Sequence, residues 1–441
     1  MPRFLDILRI LNGNSQCKNK LRCQRRIEMK SSRRDFLKAL AALSVTSTQL
    51  TKLRDAFAAE KAPAKLKIGL QPAPAPTGLK IKSIETFTKG YVSIVRIKTD
   101  DGSVGYGQIS TYDADISATV LHRKIAPFFL GRDPAAIDDL VDLCIEANYK
   151  FPWSYVCRAL AGVDTAIWDL LAKRQKKSVC ELLGGAPRSI PAYGSSMRRD
   201  ITPTDEADRL VRLKDKNGYR AFKIRIGKQC GHDQDQWPGR TETLVPTVRK
   251  AIGNDLALLV DANSCYTPQK AIEVSKILQD NNVCHFEEPC PYWELEWTVQ
   301  VTAAIDVPVA GGEQDSDLAQ WKRMIKMKAV DIVQPDICYV GGLTRALRVA
   351  AMAQKAEMPC VPHSANLAMV TVFTLHMLAV IPNAGPHIEF SIEPTEWTND
   401  LYYPQLQVRD GLVAVPAGPG WGVTINLKWL ENADRQISQS E

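Results

Sequence analysis

Apolar and polar positions alternate along "LKIKSIETFTKGYVSIVRIKTDDGSVGYGQIS", from Leu79 to Ser110, with Asp101-Gly102 at a turn. A period of two is that of half-buried strands, so this stretch predicts a β-meander. From Thr119 to Leu183 the apolar spacing turns helical, and it stops at Gly184-Gly185. Strands followed by helices in this order describe a small α+β domain.

From Ile190 the texture changes. Short apolar runs recur, each followed by a loop and an amphipathic helical stretch: "IPAY", "AFKIRI", "LALLVDA", "CHFEE", "VPVAGGE", "DIVQPD", "PCVPHS" and "HIEFS". One helix is expected to open at Thr267 as N-cap, with Pro268 at its first position. Eight strand candidates alternating with helices predict an α/β fold, a (β/α)8-type TIM barrel. The tail from Leu401 is strand- and turn-like again and is expected to return to the N-terminal domain. The resulting division is 1–58 signal segment, 59–78 linker, 79–189 capping domain, 190–400 barrel and 401–441 C-terminal segment.

Charge changes the picture only at the N-terminus. The formal net charge is +7, but residues 1–58 hold 13 Lys/Arg against 4 Asp/Glu, and the remainder holds 43 against 45. The body therefore gives no charge argument for nucleic acid. "SRRDFLK" (Ser32 to Lys38), a modestly apolar stretch to about Leu53 and "AFA" (Ala56 to Ala58) resemble a bacterial twin-arginine export signal. That implies handling by the twin-arginine machinery and a periplasmic or otherwise exported mature protein. No apolar run reaches the roughly 18 residues of a membrane helix, so the mature form is expected to have no membrane span. The 11 cysteines lack a CxxC pair or regular spacing and read mostly as small buried residues.

The ionisable residues at the ends of successive runs are Asp261, Glu287, Glu313, Asp336, His363 and Glu389, separated by 26, 26, 23, 27 and 26 residues. One βα unit is about that long, so these side chains should meet at the C-terminal mouth, where barrels do chemistry. Asp261, Glu287 and Glu313 offer three carboxylates from consecutive strands, which suits a hard divalent ion such as Mg2+. Such an ion would explain two adjacent acids in "FEEP": Glu287 as ligand, with Glu288 pointing the other way off the strand end. Asp336 beside His363 would fix the imidazole tautomer and make His363 a general-base candidate. Lys223 and Arg225 in "FKIRI" share one strand face and should point into the mouth. Together these groups suit removal of a proton α to a carboxylate, with cations stabilising the enediolate.

At these residues the chain resembles the mandelate racemase/muconate lactonising group of the enolase superfamily. The motifs are "KIR" (Lys223, Arg225), "DAN" (Asp261, Asn263), "EEP" (Glu287), "GGE" (Glu313), "PDICYVGG" (Asp336), "PHSANL" (His363) and "IEF" (Glu389). The resemblance implies one Mg2+ per subunit, an even-numbered homo-oligomer and a capping domain. Its loop from Gly105 to Tyr112, with Tyr106 and Tyr112, would close over a small-molecule carboxylate substrate. It further implies that Lys223 binds the substrate carboxylate, Asn263 contacts substrate, and Glu389 acts as an acid stabilising the enediolate or contacts substrate. The His–Asp pair places the chain on the mandelate-racemase-like branch. One departure matters: Arg225 stands where the family keeps a second lysine base, and arginine stays protonated. A one-base reaction is then expected, the dehydration of an aldonate or aldarate to a 2-keto-3-deoxy acid. The alternatives are a racemase or epimerase, a sugar-lactone cycloisomerase, and an exported binding protein without turnover. The segment Gly227–Glu242, which stretches the interval from Lys223 to Asp261 to 38 residues, carries no motif.

Overall fold

The computed structural model describes residues 75–440, apart from Pro152 and Gln229. The expected signal segment and most of the linker lie outside the described residues.

Three antiparallel strands, β1 (Ile81–Lys89), β2 (Val92–Thr99) and β3 (Val104–Gln108), form the meander. Helix Trp153–Arg174 packs across it. The close approach needs glycine: a Cβ at Gly107 would lie 2.4 Å from the Gly162 carbonyl oxygen of that helix. The C-terminal strand Asp434–Gln439 pairs with the free edge of β1. The tail does not serve the capping domain alone, since Leu412–Ala414 pairs with the first barrel strand.

The barrel strands follow the eight apolar runs. They are β4 (Ser189–Ser195), β5 (Ala221–Arg225), β6 (Ala257–Asp261), β7 (Val283–Glu287), β8 (Val309–Gly311), β9 (Ile332–Val333) and β10 (Ile388–Ser391). They run parallel in the order β10-β4-β5-β6-β7-β8-β9. The stave expected at "PCVPHS" shrinks to Cys360, which bridges both Val333 and Ala384. The architecture is thus an enolase-like α/β barrel with an N-terminal α+β capping domain. Helix Pro268–Asp280 starts as its sequence predicts: the Thr267 side chain accepts from Lys270 N. Seven of the nine described cysteines are buried and none is in a disulfide. Among the described residues no helix is long and apolar enough to cross a membrane.

Candidate active site

Parallel register levels the strand ends. Arg225 pairs with Asp261, and Asp261 pairs with Glu287. Lys223, two residues before Arg225, lies one layer deeper in the barrel.

That single layer decides the role of Lys223. Its side chain is 1% exposed, and its ammonium lies 2.7 Å from Glu287 Oε1 and 2.8 Å from Glu389 Oε1. Burial alone would discharge it, but Glu287 and Glu389 hold its pKa well above the usual value. Lys223 is here the buried counter-charge of Glu287 and Glu389. Glu389 shares this buried network. Its Oε1 accepts from Ser195 Oγ at 2.8 Å and its Oε2 from Ser364 N at 2.9 Å. Burial would raise its pKa, yet Lys223 and then His363 bring it below the ordinary value. Glu389 thus lies between the Lys223 ammonium at 2.8 Å and His363 Nε2 at 3.9 Å.

His363 and Asp336 meet as the strand-end register predicts. His363 Nδ1 lies 2.7 Å from Asp336 Oδ2. The other Asp336 oxygen accepts from Cys338 N and Tyr339 N, capping the short helix Ile337–Val340 and fixing the carboxylate. His363 Nε2 points to Glu313 Oε2 at 3.4 Å and to Glu389 Oε2 at 3.9 Å. Burial pulls the imidazole pKa down, but Glu313, Glu389 and Asp336 push it up to about 10. His363 therefore carries its proton until the carboxylate field around it is compensated.

The adjacent acids of "FEEP" part ways, though not as expected. Glu287 turns downward and is saturated: Lys223 on Oε1, with His285 Nε2 and Gln334 Nε2 each 2.9 Å from Oε2. Burial would raise its pKa, but Lys223 and His285 hold it well below the carboxylate range. Glu288 does not point away. A left-handed φ of 40° turns it back, and its buried carboxyl lies in the field of Glu313, Asp261 and Glu287. After burial, those three charges raise its pKa well above normal.

The donor set fits a hard divalent cation in type and in charge. The mouth is rich in carboxylate oxygens, and two of them, Asp261 Oδ2 and Glu288 Oε1, are buried without a hydrogen-bond donor. Burial and then the Glu287 charge raise the Asp261 pKa. Burial, then Glu287 and Asp261, outweigh His363 and raise Glu313 to about 7. The predicted trio is nevertheless not gathered into one ligand shell: among the described residues no three His, Cys, Asp or Glu side chains are placed to hold an ion together. Glu287 is held back by Lys223, His285 and Gln334.

Two further expectations concern the cap. Tyr106 is on the wrong face of β3. Gly105 and Gly107 pack closely on helix Trp153–Arg174, while Tyr106 pairs with Arg96 across the sheet and lies 5.2 Å from Nζ of Lys173, at the far end of that helix. It is not placed to contact substrate. Tyr112 reaches the rim, where its ring lies 6.3 Å from that of Trp397 and 5.4 Å from that of Tyr91. The loop before it does meet the barrel, since Gln108 Oε1 accepts from Met369 N at 2.8 Å and Asn366 Nδ2 donates to Thr111 at 3.4 Å.

The sequence reading missed Arg199, His285 and Gln334. Arg199, in the loop after β4, donates from Nη2 to Asn263 Oδ1 at 2.6 Å and from Nε to Gly227 O at 3.1 Å. Following the strand ends back to β4 would have reached its neighbourhood. The Gly227–Glu242 segment lies against the turn after Asp261, through Asp233 to Thr267 N (2.6 Å) and Cys265 Sγ to Gln234 O (3.2 Å).

Comparison with known proteins matches this geometry to a family. The model described as mandelate racemase / muconate lactonizing enzyme, N-terminal domain, matches residues 70–184. The one described as enolase C-terminal domain-like matches residues 205–429, half of the chain. The chain belongs to the mandelate racemase/muconate lactonizing enzyme family of the enolase superfamily. It is 29% identical over 337 residues to an arabinonate dehydratase of Saccharolobus solfataricus, covering 75% of this chain and 87% of that protein. It is 30% identical to an L-talarate/galactarate dehydratase of Salmonella typhimurium (77% and 81% covered). It is also 30% identical to a D-galactarolactone cycloisomerase of Agrobacterium fabrum (76% and 88%). A structure from Roseobacter denitrificans, described only as a candidate racemase, superposes with a TM-score of 0.81 at 56% identity, covering 82% of this chain and 100% of that one. A family member from Paracoccus denitrificans, complexed with magnesium, superposes at 0.74 and 27% identity (82% and 99%). These relatives place the chain among the lyases and isomerases of the superfamily.

Proposed function

We propose that this family member is a Mg2+-dependent acid-sugar dehydratase acting on an aldonate or aldarate. One observation carries the choice of dehydration: His363 is the base at the mouth, and the position of a second base is filled by Arg225. Burial opposes the Arg225 charge, but Asp261 and then Glu313 raise its pKa still further, so it neither gives up nor takes a proton. Such a site removes the α-proton from one face only.

In this reading Mg2+, when bound, would neutralise the substrate carboxylate and the surrounding acids. Asp261, Glu287 and Glu313, from three consecutive staves, are the residues that would hold it. Asp336 holds the His363 ring so that Nε2 faces the α-carbon. His363 takes the α-proton, and the electron pair left behind forms the enediolate. Its collapse breaks the β-carbon–oxygen bond, His363 returns the proton to the departing hydroxyl, and water leaves. The enol product then tautomerises to the 2-keto-3-deoxy acid. The dehydratase relatives, one acting on an aldonate and one on aldarates, support this reaction class.

The test is a screen of the purified protein with Mg2+ against a library of mono- and diacid sugars, reading 2-keto acid formation and its loss with a chelator. Interconversion of two epimers without a keto acid would overturn the reading in favour of a racemase, the second reading, which the similarity to the Roseobacter protein favours. For localisation, the twin-arginine reading predicts that Arg33→Lys with Arg34→Lys leaves an active precursor in the cytoplasm. Unchanged export would dismiss that motif.

A further inference from the structure

A guanidinium reaches the barrel mouth from the capping domain and takes no part in the proton transfers there. Arg158 sits in the second turn of helix Trp153–Arg174 and is half-buried. Its Cζ lies 3.7 Å from the centre of the Tyr339 ring, and that ring is centred 5.9 Å from the ring of His363. A single aromatic side chain thus links the cation of the cap to the base. Tyr339 is itself a mouth residue. It stands in the short helix capped by Asp336, and after burial its phenol is acted on by Asp336, Arg158 and Glu313. Tyr292, in the loop after β7, is reached in the same way: after burial come the charges of Asp315, Glu288 and Arg158.

Arg158 is held in place without being saturated. Nη1 donates to Ser110 Oγ at 2.5 Å, and the flat of the guanidinium lies on Tyr339. Stacking of this kind leaves the donors at the edge of the fork open. No carboxylate is within salt-bridge distance of Arg158 among the described residues. Asp113, an acid of the same rim, accepts from Tyr155 at 3.0 Å instead. Thr111, next to Ser110, receives Asn366 Nδ2 at 3.4 Å, so the segment that orients Arg158 is tied to the barrel.

We propose that Arg158 contacts the substrate at the end remote from the reacting carboxylate and selects a dicarboxylic sugar, an aldarate, over an aldonate. The inference rests on the dehydratase reading for its class of ligand. With the α-carbon at His363, the rest of the chain cannot extend downward, where Lys223 is packed against Glu287 and Glu389. It must extend toward the cap. A six-carbon chain of 1.5 Å bonds spans roughly 6 Å between its ends, which is the scale of the ring contacts that join His363 to Arg158. A second carboxylate would be repelled by Asp261, Glu288 and Glu313 unless a cation met it, whereas the terminal hydroxyl of an aldonate needs none. A planar, permanently charged fork with open donors matches that carboxylate.

The experiment uses the Mg2+-loaded full chain with galactarate, glucarate and mannarate and with the matching monoacids galactonate, gluconate and mannonate. Binding is read by calorimetry and turnover by 2-keto acid formation. The wild type should favour its best diacid over the matching monoacid by about tenfold or more. Arg158→Met should lower that ratio about 10- to 100-fold, chiefly through KM, as expected when a charge-assisted contact is lost. Arg158→Lys should fall between, because the charge returns without the fork. A wild type that prefers the monoacids or binds none of the six would overturn the proposal. Equal losses on diacid and monoacid in Arg158→Met would also overturn it, and would mark Arg158 as a clamp between cap and barrel. Should Arg158→Met fail to fold, a wild-type ratio in Arg158→Lys would count against the fork. An Arg158-dependent preference for diacids in binding, with no keto acid formed, would keep the subsite and discard the dehydratase reading. Keto acid formation from monoacids alone would do the reverse.

Discussion

Two histidines thirteen residues apart in sequence are buried in two different regions and end in opposite states. His363, at the barrel mouth, is 4% exposed, and His376, on helix Met369–Leu378, is 0% exposed. The mouth pushes its imidazole up to about 10, whereas the seam where helix Met369–Leu378 meets Cys180 and Trp421 drops its own to about 4. Burial lowers both, so burial cannot be the difference. His376 meets neutral backbone: Nδ1 accepts from Cys180 N at 3.2 Å, and Nε2 faces Trp421 O at 3.0 Å. The ring packs 5.3 Å from the indole of Trp421. That pairing defines one neutral tautomer and leaves a second proton nowhere to go. His363 meets three carboxylates. The low dielectric that expels charge from the seam strengthens the attraction of charge to the mouth.

Substitution of each histidine is the widest test of that contrast. His363→Asn should lower turnover about 10²- to 10⁴-fold, and further if His363 also serves as the acid. His376→Asn should leave kcat within a few-fold in the folded protein, because that ring touches no mouth residue. Equal losses in steady-state assays of the two variants would erase the functional distinction.

Next in size is the counter-charge beneath the mouth. Lys223→Met leaves Glu287 and Glu389 buried and ionised without their ammonium, which should cost about 3–5 kcal/mol in urea unfolding. A Lys223→Met protein as stable as wild type would show that the carboxylates are neutral there and that the two regions differ less than their geometry indicates.

The smallest effect is the pH dependence of the seam. His376 has a folded pKa of about 4, below its ordinary 6.5. The unfolded chain therefore takes up the proton first as pH falls. The stability contributed by the neutral ring is complete above 6.5 and is lost as pH falls toward 4, at most about 3 kcal/mol. His363 has the opposite sign. Its folded pKa is raised, so its contribution is complete below 6.5 and is lost as pH rises through about 10 in protein without a bound cation. His376→Phe should flatten the acid limb of stability against pH and leave the alkaline limb in place. An unchanged acid limb would count against the seam assignment.

Much of the architecture was legible because regular secondary structure has regular periods. Alternation marked the meander, and repeats of one βα unit marked the staves. The same spacing brought His363 and Asp336 together, because a residue that ends a parallel strand must lie at the mouth. Tyr106 shows where such reasoning stops. It lies within β3, where one position along the strand reverses the face, and the close packing of Gly105 and Gly107 on a helix chose that face. Arg199 was missed because it lies in a loop, where no period applies.

By itself, then, the sequence determined which side chains the barrel presents at its open end, since register and strand length follow from local pattern. Only the tertiary structure decided how those side chains divide the work. Lys223 and Arg225 are two residues apart on one strand face and look interchangeable as cations. Their layers differ, so Glu287 and Glu389 take up the ammonium of Lys223 while Arg225 Nε faces Asp261 Oδ2 at 3.4 Å. Glu287 and Glu288 are adjacent and chemically identical. His285 and Gln334 hold the first, and a left-handed backbone turns the second back into the mouth. These choices depend on distances of a few ångströms between segments remote in sequence, where hydrogen bonding and charge interaction change steeply, and no local pattern records them.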